Sequence, residues 1–306
     1  MNLIQYITWD VSPFIFKIGN FGVRWYGVLF ISGFIFGYWL FSRFYKREGI
    51  DQKLLEPLLW ALLIGAVIGA RLGHVIFYEP DYYLAHPGEI LKVWHGGLAS
   101  HGGAIGILFA VWWYVKKYGK KNGFDYMWIM DRLALAVPFA GMAIRLGNLF
   151  NSEIYGWTTS LPWGFLFVRN GETAPCHPTQ LYEALSYLLI GLILLTVYYC
   201  CNPQRAAAET VAKDERIAQE NGDKKGCGIY RGLLFGIFLV LLFGARFLIE
   251  YVKQPQVEGE VGKLINNGQI LSLPFIAAGI ACIVWSFTAR KPLFASKPLF
   301  AGKYIF

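Results

Sequence analysis

The sequence has little charge and lacks the residue patterns of common metal sites. Only 16% of its 306 residues are Asp, Glu, Lys or Arg, whereas ordinary soluble domains have about 25%. None of the five cysteines form a Cys-x-x-Cys pair, so neither a zinc site nor a disulfide framework is indicated. The five histidines also lack the spacing of metal ligands, and we expect neither a metal nor a cofactor.

The first residues lack the features of a secretory signal peptide. Residues 1–20 have no basic n-region, and no small-residue cleavage site follows them. They mix polar residues with Trp9, Phe14 and Phe16. This mixture is typical of a segment that lies at a membrane interface, and it does not predict a membrane span.

Long apolar runs make up most of the chain, which is 56% hydrophobic and 17% aromatic. They predict an all-α, polytopic integral membrane protein with about seven transmembrane helices. We expect a single transmembrane domain over residues 1–290, with a polar cytoplasmic loop at 202–228 and a cytoplasmic tail at 291–306. The candidate spans are 22–43, 54–78, 101–118, 126–149, 181–200, 231–251 and 271–289.

The basic residues predict how these spans are oriented. Of the 28 Lys and Arg residues, 18 lie in alternate connections and in the tail, six lie on the opposite side, and four lie within spans. Because connections rich in Lys and Arg stay in the cytoplasm, the N-terminus is predicted outside and the C-terminus inside. This distribution also accounts for the net charge of +8 without a nucleic-acid partner.

Polar residues inside the spans converge at one predicted depth, the outer leaflet. A charge at membrane depth costs about 2.5–3.5 kcal/mol on insertion scales, so a functional role is the default interpretation. The alternative is that the arginines extend their side chains to the headgroups. Together these residues predict a site for an anionic headgroup. They are Tyr26, Arg71, His101, Arg145, Arg246 and Glu250.

The segment 141–156 carries the densest group of polar residues. Arg145 and Asn148 are three positions apart and share a helix face. Asn151, Ser152 and Glu153 follow within a few residues. The run therefore begins as a membrane helix and ends as a polar loop.

Three further segments have both a structural and a functional interpretation. In 95–103, paired glycines around His101 suit close ligand approach or proton transfer, but they also suit helix packing. Arg246 and Glu250, at i and i+4, either pair only with each other or share a phosphate. In 176–183, capping by Thr179 and the helix dipole account for Glu183, but not for His177 or Gln180.

Six motifs together resemble the prolipoprotein diacylglyceryl transferases of bacteria over roughly residues 20–255. The motif from Arg145 to Gly156 is highly specific, whereas the histidine and paired glycines alone would be weak. The sequence departs from the family pattern in a loop and a tail that look longer than usual, and at His95, where the family varies. The motifs are Arg-Trp-Tyr-Gly at 24–27, Gly-Ala-Arg-Leu-Gly at 69–73, the glycine pairs 96–97 and 102–103 with His101 between them, 145–156, His-Pro-Thr-Gln-Leu-Tyr-Glu at 177–183, and Arg-Phe-Leu-Ile-Glu at 246–250.

The resemblance implies transfer of the diacylglyceryl group of phosphatidylglycerol to the thiol of the lipobox cysteine in a prolipoprotein signal peptide. Glycerol 1-phosphate would be released, with the site facing the outer leaflet of the bacterial inner membrane. The catalytic residues are then expected to be His101, Arg246, Glu250 and Tyr26. The substrate-binding residues are expected to be Arg145, Asn148, Glu153, Gly156, Arg71 and Gln180.

Two other classes of protein use similar residues. An anion or lipid transporter could have the same arginines, often at the membrane midplane and with inverted repeats. A seven-helix receptor or lipid-binding scaffold would not need a titratable base beside them. The charges here lie at one predicted face, and no inverted repeat is visible, which favours the transferase.

Overall fold

A computed structural model of the chain describes residues 6–19, 21–93, 96–200, 230–254 and 265–289. Long helices make up most of this part of the chain and follow the predicted spans closely. The loop 202–228 and the tail 291–306 lie outside the described residues. The helices are α1 (Trp25–Glu48), α2 (Leu55–Phe77), the short α3 (Pro80–Ala85), α4 (Ser100–Tyr114), α5 (Tyr126–Phe150), α6 (Thr179–Cys200), α7 (Leu233–Ile249) and α8 (Asn267–Ala289).

Six of these helices, α1, α2, α5, α6, α7 and α8, are long and apolar enough to cross a membrane, judged by length and composition. The predicted third span corresponds to α4, which has 15 residues and continues into a π-helical turn at Val115–Gly119. The helical character of the protein is therefore confirmed. The count of seven spans and the sides of the two termini stay predictions.

In the part of the chain that the structure describes, four short strands accompany the helices. Strand β1 (Ile7–Trp9) pairs in parallel with β4 (Phe165–Phe167), and β2 (Phe14–Ile18) forms an antiparallel hairpin with β3 (Phe21–Arg24). The first pair packs on a small apolar cluster of Leu149, Phe165, Phe167 and Cys176. The indole N–H of Trp9 also donates to the Leu149 carbonyl at 3.0 Å. These contacts anchor the connection between α5 and α6, which carries several site residues.

The chain divides into two compact units. The first comprises the described residues of Met1–Leu40 and Met130–Leu293, and the second those of Phe41–Ile129. The expectation of a single domain over residues 1–290 stays a prediction.

In the second unit, α2 and α4 pack through glycines. A Cβ atom added to Gly69 would lie 2.3 Å from the Gly102 carbonyl oxygen, and one added to Gly102 would lie 2.2 Å from the Gly69 oxygen. Such small residues let two helix backbones approach closely, as is common between membrane helices. The amide of Ala99 also donates to the Ala70 carbonyl at 2.9 Å. This packing fixes the start of α4, where His101 lies.

In the first unit, a carboxylate within α5 caps the start of α7. The Asp131 carboxylate accepts hydrogen bonds from the backbone N–H groups of Gly232 at 2.8 Å and Phe235 at 2.9 Å. A negative charge at a helix N-terminus satisfies N–H groups that lack helical partners and suits the helix dipole. Capping accounts for an acidic residue in the apolar sequence of α5.

Candidate active site

A chain of buried charges links three elements of the first unit. The Arg145 Nε atom on α5 lies 2.5 Å from the Glu183 Oε2 atom in the first turns of α6. The other Glu183 oxygen lies 4.0 Å from the Lys253 ammonium, just beyond α7, and this ammonium lies 3.6 Å from the Glu250 carboxylate. Side-chain exposure is only 1% for Glu183 and 4% for Lys253. Because desolvation offsets most of the electrostatic gain of buried ion pairs, stability alone does not explain such a network.

Arg145 also begins a line of hydrogen bonds toward the loop after α5. Its Nη1 atom donates to Asn148 Oδ1 at 3.2 Å, and Asn148 Nδ2 donates to Glu153 Oε1 at 2.7 Å. Asn151 donates to the same carboxylate oxygen at 3.1 Å. The structure therefore brings together Arg145, Asn148 and Glu153, three residues that the sequence placed in one site.

The first residues of α6 hold this loop by its backbone. The Gln180 amide donates to the Glu153 carbonyl at 2.6 Å, and the Thr179 hydroxyl donates to the Ile154 carbonyl at 2.8 Å. The Thr179 hydroxyl therefore holds the loop, whereas the sequence suggested that it caps the start of α6. Both side chains are fully buried. Gln180, predicted to bind substrate, here positions the segment that carries Glu153.

Gly156 lies where the same loop meets the end of α7. The backbone of Gly156 pairs with that of Lys253 in an isolated antiparallel bridge, and the Gly156 N–H donates to the His177 carbonyl at 2.8 Å. A Cβ atom at this position would lie 2.1 Å from the Val252 carbonyl oxygen, so every other residue would clash with backbone. Gly156 acts through close backbone packing that places Lys253 in the charged cluster, which consists of Arg145, Glu183, Glu250 and Lys253.

The loop between α5 and Gly156 has unusual backbone geometry. Ser152 and Ile154 have φ angles of 55° and 63°, in the left-handed region that favours glycine. For a β-branched residue such as Ile154 this conformation is a genuine outlier, and such strain is often found at functional sites. The loop lines a cavity of about 320 Å³ together with Asn170 and Gln254. Among the described residues, the buried Ser152 hydroxyl and Asn151 Oδ1 have no hydrogen-bond partner.

Glu250 has a different partner from the one expected. The spacing in the sequence suggested that Glu250 either pairs with Arg246 or shares a phosphate with it, but its carboxylate pairs with Lys253, and within the described residues it forms no ion pair with Arg246. Arg246 lies in the last turn of α7, near enough for its charge to act on Lys253. Burial lowers the pKa of the Lys253 ammonium below its ordinary value, and the charges of Arg145 and Arg246 act in the same direction. The two carboxylates oppose this shift.

Tyr26 packs directly on the helix that carries Arg145. It lies near the start of α1, and a Cβ atom at Gly147 would be 2.8 Å from its ring. Gly147 lies between Arg145 and Asn148 in the chain. The structure therefore places Tyr26 beside the predicted site in the first unit, where its ring limits the space over the α5 backbone.

Arg71 and His101 belong to the second unit. Arg71 is buried, and its guanidinium donates four hydrogen bonds to backbone carbonyls. The acceptors are Glu89 at 2.6 Å, Ile90 at 2.8 Å, Gly96 at 2.8 Å and Gly97 at 3.2 Å. Because four of its five N–H groups are used in this way, Arg71 holds the 89–97 segment, which differs from the expected headgroup contact.

His101 lies in the first turn of α4 and is exposed. Neighbouring Gly102 and Gly103 are buried against α2. The imidazole therefore stays accessible while the backbone beneath it is fixed, as a proton-transfer group requires.

Glu183 and Lys253 were not among the site residues predicted from the sequence. The local sequence explained Glu183 as an acidic residue near a helix start, and Lys253 counted only as a basic residue in a connection. One available signal was the spacing of Glu250 and Lys253, three positions apart, which suits an ion pair on one helical turn. The contacts of Glu183 with Arg145 and Lys253 are distant in sequence and have no local signal.

Comparison with known proteins agrees with these motifs. A family model described as prolipoprotein diacylglyceryl transferase matches residues 13–285. A phosphatidylglycerol–prolipoprotein diacylglyceryl transferase of Tolumonas auensis is 44% identical over 280 residues, which cover 92% of this chain and 97% of that protein. Proteins with the same name from Porphyromonas gingivalis and Chloroherpeton thalassium are each 41% identical, covering 93% and 94% of this chain and 96% of each relative. The chain therefore belongs to the prolipoprotein diacylglyceryl transferase family.

Proposed function

We propose that this chain transfers the diacylglyceryl group of phosphatidylglycerol to the thiol of the lipobox cysteine of a prolipoprotein, at the charged cluster of the first unit. The glyceryl carbon that carried the phosphate forms a bond to sulfur, and its bond to the phosphate oxygen breaks. The products are a thioether and glycerol 1-phosphate, in the first step of bacterial lipoprotein maturation. The chain is a multi-pass membrane protein and a transferase. Its substrates are a membrane lipid and a signal peptide.

The observation that carries this proposal is the concentration of cations around Glu183. Arg145 and Lys253 are balanced by the carboxylates of Glu183 and Glu250, and Arg246 lies beside them as a further positive charge. Guanidinium groups bind phosphate with two parallel hydrogen bonds. Arg145 and Arg246 would hold the lipid phosphate and stabilise the charge that grows on it as the carbon–oxygen bond breaks.

The remaining residues would orient the substrates around that phosphate. Asn148 and Glu153 continue the polar line from Arg145 to the strained loop and would contact the headgroup or peptide. Tyr26 would shape the entrance over α5. Arg71, Gln180 and Gly156 would act by holding backbone segments, as their contacts support.

A cysteine thiol needs a base near neutral pH, because its ordinary pKa is about 8.5. We assign this role to His101, whose imidazole is exposed at the start of α4 and can accept a proton. It would take the thiol proton as sulfur attacks carbon.

The site would face the outer leaflet of the bacterial inner membrane. This orientation rests on the excess of Lys and Arg in alternate connections, which include exposed Lys117, Lys120 and Lys121 after α4. With this orientation, the C-terminal end of α5 and the end of α7 lie at the outer surface, where the lipobox cysteine of a signal peptide would meet the lipid headgroup.

A transfer assay tests this proposal. Purified chain would be mixed in detergent with a lipobox peptide and phosphatidylglycerol, and the peptide mass and glycerol 1-phosphate would be measured. The expected result is equal amounts of diacylglyceryl peptide and glycerol 1-phosphate, with no product from phosphatidylethanolamine or from a peptide with serine in place of cysteine. An anion transporter or a lipid-binding scaffold would form no thioether, and that result would refute the proposal.

A further inference from the structure

Lys253 is a buried lysine to which the proposed mechanism has given no role. Its side chain is 4% exposed, and charged groups from every neighbouring element face it. They are Glu183 on α6 at 4.0 Å, Glu250 at 3.6 Å on its own turn, Arg145 on α5 and Arg246 on α7. The ammonium is within ion-pair distance of both carboxylates but forms a hydrogen bond with neither of them.

The backbone of residue 253 accounts for its place in the fold without its charge. It pairs with Gly156, and flanking backbone hydrogen bonds run from Trp157 N–H to the Val252 carbonyl at 2.9 Å and from Gln254 N–H to the Tyr155 carbonyl at 3.3 Å. Any residue with a normal backbone could form these bonds. An ammonium at this position adds a desolvation cost, so its charge calls for a separate explanation.

The two carboxylates next to Lys253 supply that explanation. Glu183 Oε1 and Glu250 Oε2 are buried and, within the described part of the chain, accept no hydrogen bond, whereas Glu183 Oε2 lies 2.5 Å from Arg145 Nε. Arg145, which pairs with Glu183, compensates only one of these two negative charges. Without Lys253 the remaining negative charge would attract Arg246 as well and repel an incoming phosphate. Charges at such distances in a site shielded from water interact strongly enough to change anion affinity substantially.

We infer that Lys253 is a positioning residue of the phosphate site: it balances the negative charge that Arg145 leaves uncompensated on Glu183 and Glu250, so that Arg246 and the N–H groups of Arg145 that do not contact Glu183 remain available to the anionic headgroup. The inference rests on the proposed function, because it assumes that the anion at this site is the lipid phosphate. Lys253 thereby gains a role although it is not among the site residues predicted from the sequence.

If Lys253 has this role, headgroup affinity should depend on pH. Since burial lowers the pKa of Lys253, its ammonium loses the proton at a lower pH than an exposed lysine would. As pH rises through that value, the pair of carboxylates loses one of its counter-charges, and headgroup affinity should fall. Arginine at this position would keep its charge throughout the same range.

Three variants test this role: Lys253→Met, Lys253→Arg and, as a control, Lys17→Met. Lys17 is an exposed lysine on β2 of the same unit. Binding of phosphatidylglycerol in detergent micelles and the transfer rate would both be measured from pH 6 to about pH 10, beside thermal melting. Lys253→Met should weaken lipid binding and raise KM at least ~10-fold near pH 7, a change worth about 1.4 kcal/mol. Lys253→Arg should keep neutral-pH binding and lose the alkaline decline, and Lys17→Met should match the wild type.

Folded Lys253→Met with wild-type lipid binding would overturn the inference. So would an unchanged alkaline decline in Lys253→Arg, which decides the matter even if Lys253→Met does not fold. Failure of the proposed function is distinguishable, because then the wild type would bind the lipid and form no thioether, while the binding comparison would still test Lys253.

Discussion

Replacing Arg145 with lysine keeps the charge but removes the geometry of the guanidinium. Arg145 contacts Glu183 through Nε at 2.5 Å and Asn148 through Nη1 at 3.2 Å, two directions that a single ammonium cannot serve together. A hydrogen bond to a charged group contributes about 1.5–3 kcal/mol, and about 1.4 kcal/mol is a tenfold change. The Arg145 side chain is only 13% exposed, so water can replace little of a lost hydrogen bond. We expect kcat/KM to fall by about 10- to 100-fold from the loss of one such bond.

The assay is lipid-to-peptide transfer by purified Arg145→Lys, beside a melting curve that checks the fold. Arg169→Lys is the matched control, because Arg169 is exposed in the same unit and lies outside the charged cluster. Arg132 is unsuitable as a control, since it is fully buried with its guanidinium 5.8 Å from the Tyr198 ring centre. A folded Arg145→Lys variant that keeps at least a third of wild-type kcat/KM would refute the reasoning, and so would an equal loss in Arg169→Lys.

Three other predictions address the base, the orientation and the helix packing. His101→Gln should cut the transfer rate by about 10²–10⁴-fold while lipid binding persists. The control His86→Gln, which changes an exposed histidine, should leave the transfer rate intact. Loss of lipid binding in His101→Gln would instead assign that residue to the headgroup pocket. In a cysteine-free background, an impermeant thiol reagent on intact cells should label Arg169→Cys but not Lys120→Cys, and the reverse pattern would contradict the outside N-terminus. Gly69→Ala should destabilise the protein by about 1–3 kcal/mol, because its Cβ would lie 2.3 Å from a carbonyl oxygen of α4; an unchanged melting temperature would contradict that packing.

The helices could be predicted because each is a long apolar run, which carries its signal within one stretch of sequence. The short strands could not be predicted in the same way. A three-residue strand such as Ile7–Trp9 is too short to show alternation, and its partner Phe165–Phe167 lies far along the chain. Its pairing depends on the tertiary packing of Trp9 against the end of α5.

The site was predictable where a polar residue contradicted its surroundings. Arg145 and Asn148 are conspicuous in an apolar sequence, and the structure joins them to each other and to Glu153. Glu183 was missed because a helix start already explained an acidic residue there. Lys253 was missed because a lysine in a connection is ordinary until its burial is known.

For Arg71, the sequence predicted a functional residue, but it did not predict which groups the guanidinium contacts. Its position in an apolar helix signals that it has a polar partner, but the sequence cannot identify that partner. The structure supplies four backbone carbonyls between Glu89 and Gly97. A buried arginine can therefore serve a loop backbone as well as a ligand, and only the acceptors distinguish these roles.

On the proposed function, the phosphate of the lipid binds at the charged cluster of the first unit. Phosphatidylglycerol with a photoreactive group on its terminal glycerol tests it most directly, through mass spectrometry of the cross-linked peptides from the wild-type protein. Adducts are expected within 145–156 and 246–254, and both unlabelled phosphatidylglycerol and the Arg145→Lys substitution should reduce them. Adducts confined to the basic segment 116–122, or adducts that unlabelled lipid does not suppress, would contradict it.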